Sequence, residues 1–342
     1  MKKASALVIA LFIALVFAAP VFSAIATPIV RVNLTRNTVI YQQDLDDKLA
    51  LYKEAYGENM DSATVLEAMI SDEILKQAME RDGFVLTEEA KDELLAAQKA
   101  SIEEQIGVQL TDDQFELVIQ SNYGVDVATF RNYIAEQYTV QNYVLSVKGD
   151  MFTSDKVMPT NAEVEEYYKK NKTSFVSPEN VKLSHIFFEF GSDKNETLKK
   201  ANDVSAQIKS GKLTFEKAVT QYSEDKDSID KAGDIGWLAI NDTDTLQNMG
   251  ENFFDKVFEL DAGEVSSVIE SNAGYHIVKV SVHNDTKILG IDDKTSPTSD
   301  ITVRDYIANG LYEAKMNSVF QEAYLSLISD LKSEASIRYL TK

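Results

Sequence analysis

The pieces that decide the fold are LSHIF at 183–187, YSED at 222–225, GDIGW at 233–237, FFDKVF at 253–258 and GYHIVK at 274–279. The two outer pieces read as strands, rich in β-branched and aromatic residues, and each holds one of the chain's 3 histidines, His185 and His276. GDIGW reads as a glycine turn, YSED as an acidic loop and FFDKVF as an aromatic helix. Met249 and Phe253 stand four residues apart at the start of that helix, a spacing that puts them on one face. A single histidine on an apolar strand is more often a core residue than a chemical group. The two together with the glycine turn describe a fold.

Outward from this segment the chain turns helical. Residues 29–40 alternate imperfectly and read as a strand or short hairpin. The stretches 41–56, 61–81, 87–106, 111–122 and 126–147 then carry apolar residues at helical spacing. Val65, Leu66, Met69, Ile70, Ile74, Leu75 and Ala78 form one stripe; Phe130, Tyr133, Ile134, Val140, Val144 and Val147 form another. Thr111 with Gln114 and Thr160 with Glu163 are capping boxes, and Gly57, Gly83, Gly107 and Gly124 fall in the breaks. A helix is expected over 160–171, a linker over 285–300, a long amphipathic helix over 303–331 and a strand over 336–340. A lone strand at each end leaves unpaired edges, so the two termini are expected to meet.

Composition bounds where such a chain works. Lys2 and Lys3 precede an apolar run over 4–22, and Ala24-Ile25-Ala26 offers a small-residue cleavage site, the pattern of a signal peptide over 1–26. The competing expectation is an uncleaved amino-terminal anchor; Pro20 and the small residues suit processing better. No later segment is apolar enough to cross a membrane, so no stable membrane insertion is expected after cleavage. With no cysteine among 342 residues, neither a lipoprotein anchor nor disulfide stapling is available. The formal net charge of -21 opposes binding to phosphate backbones, so nucleic acid is not an expected partner.

In their order and spacing the five pieces resemble a parvulin-type peptidyl-prolyl isomerase domain, and the whole layout is similar to exported foldases and chaperones of the SurA and PrsA type. The resemblance implies an α+β chain. Residues 27–175 would form a mainly helical chaperone domain, completed by a helix and strand over 301–342. One parvulin domain would be inserted over 179–284, a four-stranded antiparallel sheet with surrounding helices. It further implies a site of catalytic His185 (at the end of its strand), Asp225 and His276, with Met249, Phe253, Leu238 and Trp237 binding substrate. Asp225 stands where the family carries cysteine or aspartate, and Phe258 matches a core aromatic. His283 reads as solvated.

The chemistry implied is isomerisation of Xaa-Pro bonds. Rotation about a peptide bond meets a barrier of about 18–20 kcal/mol, and lowering it needs an apolar socket and a site that disfavours the planar amide. No cofactor and no metal is required; Asp242 and Asp244 have the opening spacing of a calcium loop but lack its glycine and closing glutamate. The expected partners are unfolded or nascent exported polypeptides, met in a periplasm or other extracytoplasmic space; the acidic surface serves plain solubility first, with a preference for basic clients as the alternative. Two departures touch the pocket wall: Leu238 replaces an aromatic, and Ala273 stands where an aromatic or serine is common. They keep open the alternative of a non-catalytic holding chaperone, and a secreted structural protein dominated by its helices is a third class.

Overall fold

Strand β1 (Pro28–Asn33) and strand β2 (Asn37–Tyr41) form an antiparallel hairpin, Val30 opposite Ile40 and Asn33 opposite Asn37. This computed structural model describes residues 27–340, so the expected signal peptide lies outside them. Five long helices follow: α1 (Gln42–Tyr56), α2 (Ser62–Arg81), α3 (Glu88–Ile106), α4 (Asp112–Tyr123) and α5 (Val127–Lys148). Their starts are chemical. Asp61, Thr87, Thr111 and Asp126 each accept a hydrogen bond from a backbone N–H of the first turn, satisfying donors the helix leaves free. Gly107 and Gly124 end α3 and α4 in the left-handed conformation, which suits a residue without Cβ.

After a short turn, α6 (Ser154–Val157), the chain enters a second compact unit spanning 160–311. It contains α7 (Asn161–Asn171), β3 (Val176–Ser177), β4 (Asn180–Glu189), α8 (Lys194–Lys209), α9 (Phe215–Tyr222), α10 (Lys226–Ile229), β5 (Asp234–Ala239), α11 (Thr243–Met249), α12 (Glu251–Phe258), β6 (Ile269–Glu270), β7 (Gly274–Asn284) and β8 (Lys287–Ile288). Its main sheet is antiparallel, in the order β5-β4-β7-β6. Alternation along β4 sends Ile186 and Phe188 to one face, against Ala201, Val204 and Val219, and Leu183 and His185 to the other.

Two boundaries differ from those expected. The helix at 161–171 packs within this second unit, its Val164 buried with Leu289, Val303 and Ile307. The stretch expected as a linker is structured: β8 pairs with β3, and the Tyr168 hydroxyl donates to the Leu289 carbonyl at 2.7 Å. The physical reason is that Leu289 and Ile291, set among polar residues, find an apolar partner; only the polar run beyond them looks like a linker when read alone.

The last helix, α13 (Val303–Glu334), leads to β9 (Ser336–Tyr339), which pairs antiparallel with β1 and completes the sheet β2-β1-β9. The chain ends therefore meet in the first unit, made of the segment before 160 and that from 312. Its core joins Val30 and Val32 to Ile70 and Ile74 of α2, Val140 and Val144 of α5, and Phe320 and Leu327 of α13.

A polar residue closes this core. Gln77, 0% exposed, accepts three successive backbone N–H groups, from Leu34 and Thr35 at 2.9 Å and Arg36 at 3.2 Å. Its Nε2 donates to Glu73 Oε1 at 2.8 Å, so the hairpin turn is satisfied by a side chain of α2. Replacing Gln77 with leucine strands those three donors, and the first unit should lose about 2–3 kcal/mol in urea unfolding. A loss below about 0.5 kcal/mol would mean that the turn holds itself.

Candidate active site

Leu183, His185, Phe187 and Glu189 alternate along β4 and line one cavity of about 730 Å³, as period-two geometry requires. His185 sits in mid-strand, opposite Val278 of β7, while His276 is opposite Phe187; the ladder continues past His185 because Ile186 and Phe188 keep burying its other face. The two imidazoles are diagonal cross-strand neighbours, a separation that rings can bridge. Their Nδ1 atoms lie 3.2 Å apart.

Two glycines permit this approach. Gly233 has φ +82°, and a Cβ there would lie 2.5 Å from the His185 carbonyl; its own carbonyl accepts the His185 N–H at 2.8 Å. A Cβ on Gly274 would lie 2.2 Å from the Phe188 carbonyl. Ala232, just before Gly233, has φ 55°, a left-handed conformation that strains any residue with a Cβ by roughly 1–2 kcal/mol.

The hydrogen bonds run in one direction. Asp225 caps α10 through Oδ1, which accepts the Asp227 N–H at 3.2 Å, while Oδ2 lies 2.8 Å from His185 Nε2. A carboxylate only accepts, so His185 Nε2 donates. With the ring uncharged, as its burial favours, His185 Nδ1 is the acceptor and His276 Nδ1 the donor. That leaves His276 Nε2 to accept from the Ser271 hydroxyl, 2.8 Å away. Ser271 Oγ in turn accepts backbone N–H groups from Ala273 at 3.1 Å and Gly274 at 3.2 Å. Every polar atom of the chain is satisfied with both rings uncharged.

Burial enforces that state. His276 is 1% exposed and His185 4%. Burial, helped by its histidine neighbour, pushes the His276 pKa down to about 3. Burial also depresses His185, against the opposing pull of Asp225. Burial pulls Asp225 upward, but hydrogen bonds from Ser228, His185 and the Asp227 backbone outweigh it and hold the carboxyl below its ordinary value. Phe187 and Phe253 flank the His276 ring, at 4.8 and 5.0 Å between centroids.

All seven residues singled out in the sequence line this cavity: His185, Asp225, His276, Met249, Phe253, Leu238 and Trp237. Two expectations need correction. Met249 and Phe253 do not share a helix: Gly250, at φ 90°, separates α11 from α12, and the Asn272 side chain packs where its Cβ would be. Asp242 caps α11, accepting from the Thr245 N–H at 3.1 Å and hydroxyl at 2.7 Å. His283 is not solvated, because its Nδ1 donates to the Leu260 carbonyl at 2.6 Å and its Nε2 to Glu179 at 2.8 Å; with acceptors on both sides it is an imidazolium, its pKa raised by those bonds. Ser271 and Phe187 escaped sequence reasoning, since a serine in an S-N-A-G turn carries no signal beyond the turn. Leu238 lines the cavity yet is 5% exposed, packed with Val181, Leu183 and Phe253.

A family model described as "Rotamase: PPIC-type PPIASE domain" matches residues 185–282. Beyond that domain, the Foldase protein PrsA of Clostridium botulinum (strain Okra / Type B1) is 25% identical over 324 residues, covering 89% of this chain and 86% of its own. Residues 185–282 thus match a parvulin-type domain, and over most of its length the chain is similar to foldases of the PrsA type. A second relative, Foldase protein PrsA of Geobacillus kaustophilus, is 26% identical over 276 residues, 79% of this chain and 83% of its own. The crystal structure of PrsA from Bacillus anthracis covers 78% of this chain and 97% of its own, at 21% identity and a TM-score of 0.28. The matched domain is of the peptidyl-prolyl cis/trans isomerase type.

The protonation pattern of the parvulin domain is measurable. A histidine whose folded pKa lies below its unfolded value of about 6.5 leaves stability intact above that pH and removes it as pH falls toward the folded value. His276 should lower stability by about 1.4 kcal/mol per pH unit between about 6.5 and its folded value of about 3, and His185 should act in the same direction. His283, with a raised pKa, contributes in the opposite sense: its share is present below about pH 6.5 and is lost as pH rises through its folded value. In ¹⁵N NMR of the folded chain, His276 should be neutral and protonated at Nδ1 and His283 doubly protonated at pH 5, and His185 neutral and protonated at Nε2 at pH 7. A His276 ring titrating near 6.5 would contradict the assignment.

Proposed function

We propose that this foldase is exported and that its parvulin cavity isomerises Xaa-Pro bonds of unfolded polypeptides, with His185, Asp225 and His276 as the catalytic set. The observation that carries this is the uncharged histidine pair, 3.2 Å apart and tied to Asp225, at the floor of a cavity walled by Met249, Phe253, Leu238 and Trp237. The apolar wall suits a proline ring. A planar amide is more polar than a twisted one because resonance moves charge from nitrogen to oxygen. A dry floor with no net charge on its rings therefore destabilises the planar form relative to the twisted one, which is the difference catalysis requires. Asp225 would hold His185 in its Nε2–H tautomer, and Ser271 would do the same for His276 from the other end.

Export is supported by the basic and apolar pattern over residues 1–26, and among the described residues no helix is long and apolar enough to cross a membrane. The chaperone part is supported by the relatives' description as foldases and by a cavity of about 750 Å³ in the first unit, whose lining includes Met69, Met79, Phe84 and Tyr133. Methionine and aromatic walls adapt to many partners. A second reading, holding without catalysis, is favoured by the inward packing of Leu238, which leaves the proline socket shallow on that side.

The deciding assay is isomerisation of an Ala-Pro or Phe-Pro test peptide by the mature chain. His185→Ala, Asp225→Ala and Phe253→Ala variants, checked for folding, should each retain about a tenth of the acceleration or less. If the parent accelerates nothing yet still suppresses aggregation of an unfolded client, the holding reading stands and the isomerase reading falls.

A further inference from the structure

The cavity changes character from one end to the other. Its apolar end is Leu183 with Leu238, Met249 and Phe253. Past the histidine pair the same face of β4 continues with Phe187 and Glu189, and the loop entering α10 brings Glu224, Asp225 and Asp227 beside it. That loop is fastened to the strand: the Glu224 N–H donates to the Phe187 carbonyl at 2.8 Å, and Glu224 Oε2 accepts the Glu189 N–H at 2.8 Å.

The wall so formed is strongly one-signed. Its charged residues are four carboxylates, Glu189, Glu224, Asp225 and Asp227, against a single cation, Lys226. Lys200 neutralises Glu224 from outside the cavity at 2.8 Å. Glu189 and Asp227 are exposed and have no ion-pair partner among the described residues. The hydrogen-bonded histidines are neutral and offset none of this charge, and the net charge of -21 adds a field of the same sign at longer range.

We infer that this acidic wall selects the substrate sequence: the preferred Xaa-Pro segments carry lysine or arginine beside the proline on the Glu189 side, and acidic flanks are rejected. The inference rests on the isomerase reading of the cavity and adds the substrate class to it. At about 3.3 Å per residue, the four steps along β4 from His185 to Glu189 span about 13 Å, so the selection reaches about four residues from the proline. Like charges placed against the wall are repelled and opposite charges are steered in, an effect that salt screens.

The test is a panel of proline tetrapeptides carrying lysine, leucine or glutamate immediately before or immediately after the proline. Each is measured for turnover and for binding, the latter by shifts of the His185 and His276 ring resonances. Lysine should exceed glutamate on one flank by on the order of tenfold at low ionic strength, and the ratio should shrink at 0.5 M salt, a concentration chosen to bring the screening length to about 4 Å. The combined Glu189→Lys and Asp227→Lys variant should abolish or reverse the ratio. Because the readout is a ratio within one protein, a general loss of activity does not imitate the result. Equal turnover of all peptides by the parent would overturn the charge selection and leave the isomerase reading intact. Turnover of none would overturn the isomerase reading, and binding then decides: tighter lysine than glutamate peptides keeps the wall as a selector, and equal binding removes it.

Discussion

The carboxylate of Asp225 orders the floor of the second unit. Because it only accepts, His185 must donate to it, and with both rings kept uncharged by burial the bonds from His185 through His276 to Ser271 all run the same way. The rest of the site serves that line: Gly233 and Gly274 let backbone approach the strands, Phe187 and Phe253 hold the His276 ring, and α10 begins at Asp225 itself. Two polar rings are thereby buried without an unsatisfied nitrogen, which the low dielectric of the interior would otherwise make expensive.

Much of this was legible in the chain. The helix starts at Thr111 and Thr160 were readable because their capping boxes act through bonds three residues long, and the strands of His185 and His276 because their residue types favour a pleated surface. The meeting of the two chain ends followed from a general constraint on unpaired edges. What sequence did not show depends on contacts between distant residues. Gln77 looks like any polar residue of a helix until the turn at 34–36 is seen to lean on it, 41 to 43 residues away. Ser271 and His283 likewise take their roles from neighbours brought by the sheet, and a single glycine at 250 put Met249 and Phe253 on separate helices although their spacing suited one.

Ala232 and Leu238 have unequal physical weight. Ala232 keeps a left-handed backbone that glycine adopts freely, so it acts on stability. Leu238 acts on the shape of the socket: it fills core space beside Val181 and Phe253. Neither touches the hydrogen-bonded line, and the residues able to read charge are set apart from both, at the Glu189 end of the cavity.

The pairing of β9 with β1 has a consequence for the order in which the molecule forms. The second unit is one continuous stretch, so all its contacts become available once residue 311 has emerged. The first unit has its hairpin and five helices early, but its third strand and the α13 face of its core arrive only with the last thirty or so residues. Contacts that close so long a loop form late. During synthesis the second unit has everything it needs before the first does, and the apolar strips of α2 and α5 wait for the face that the carboxy-terminal helix brings.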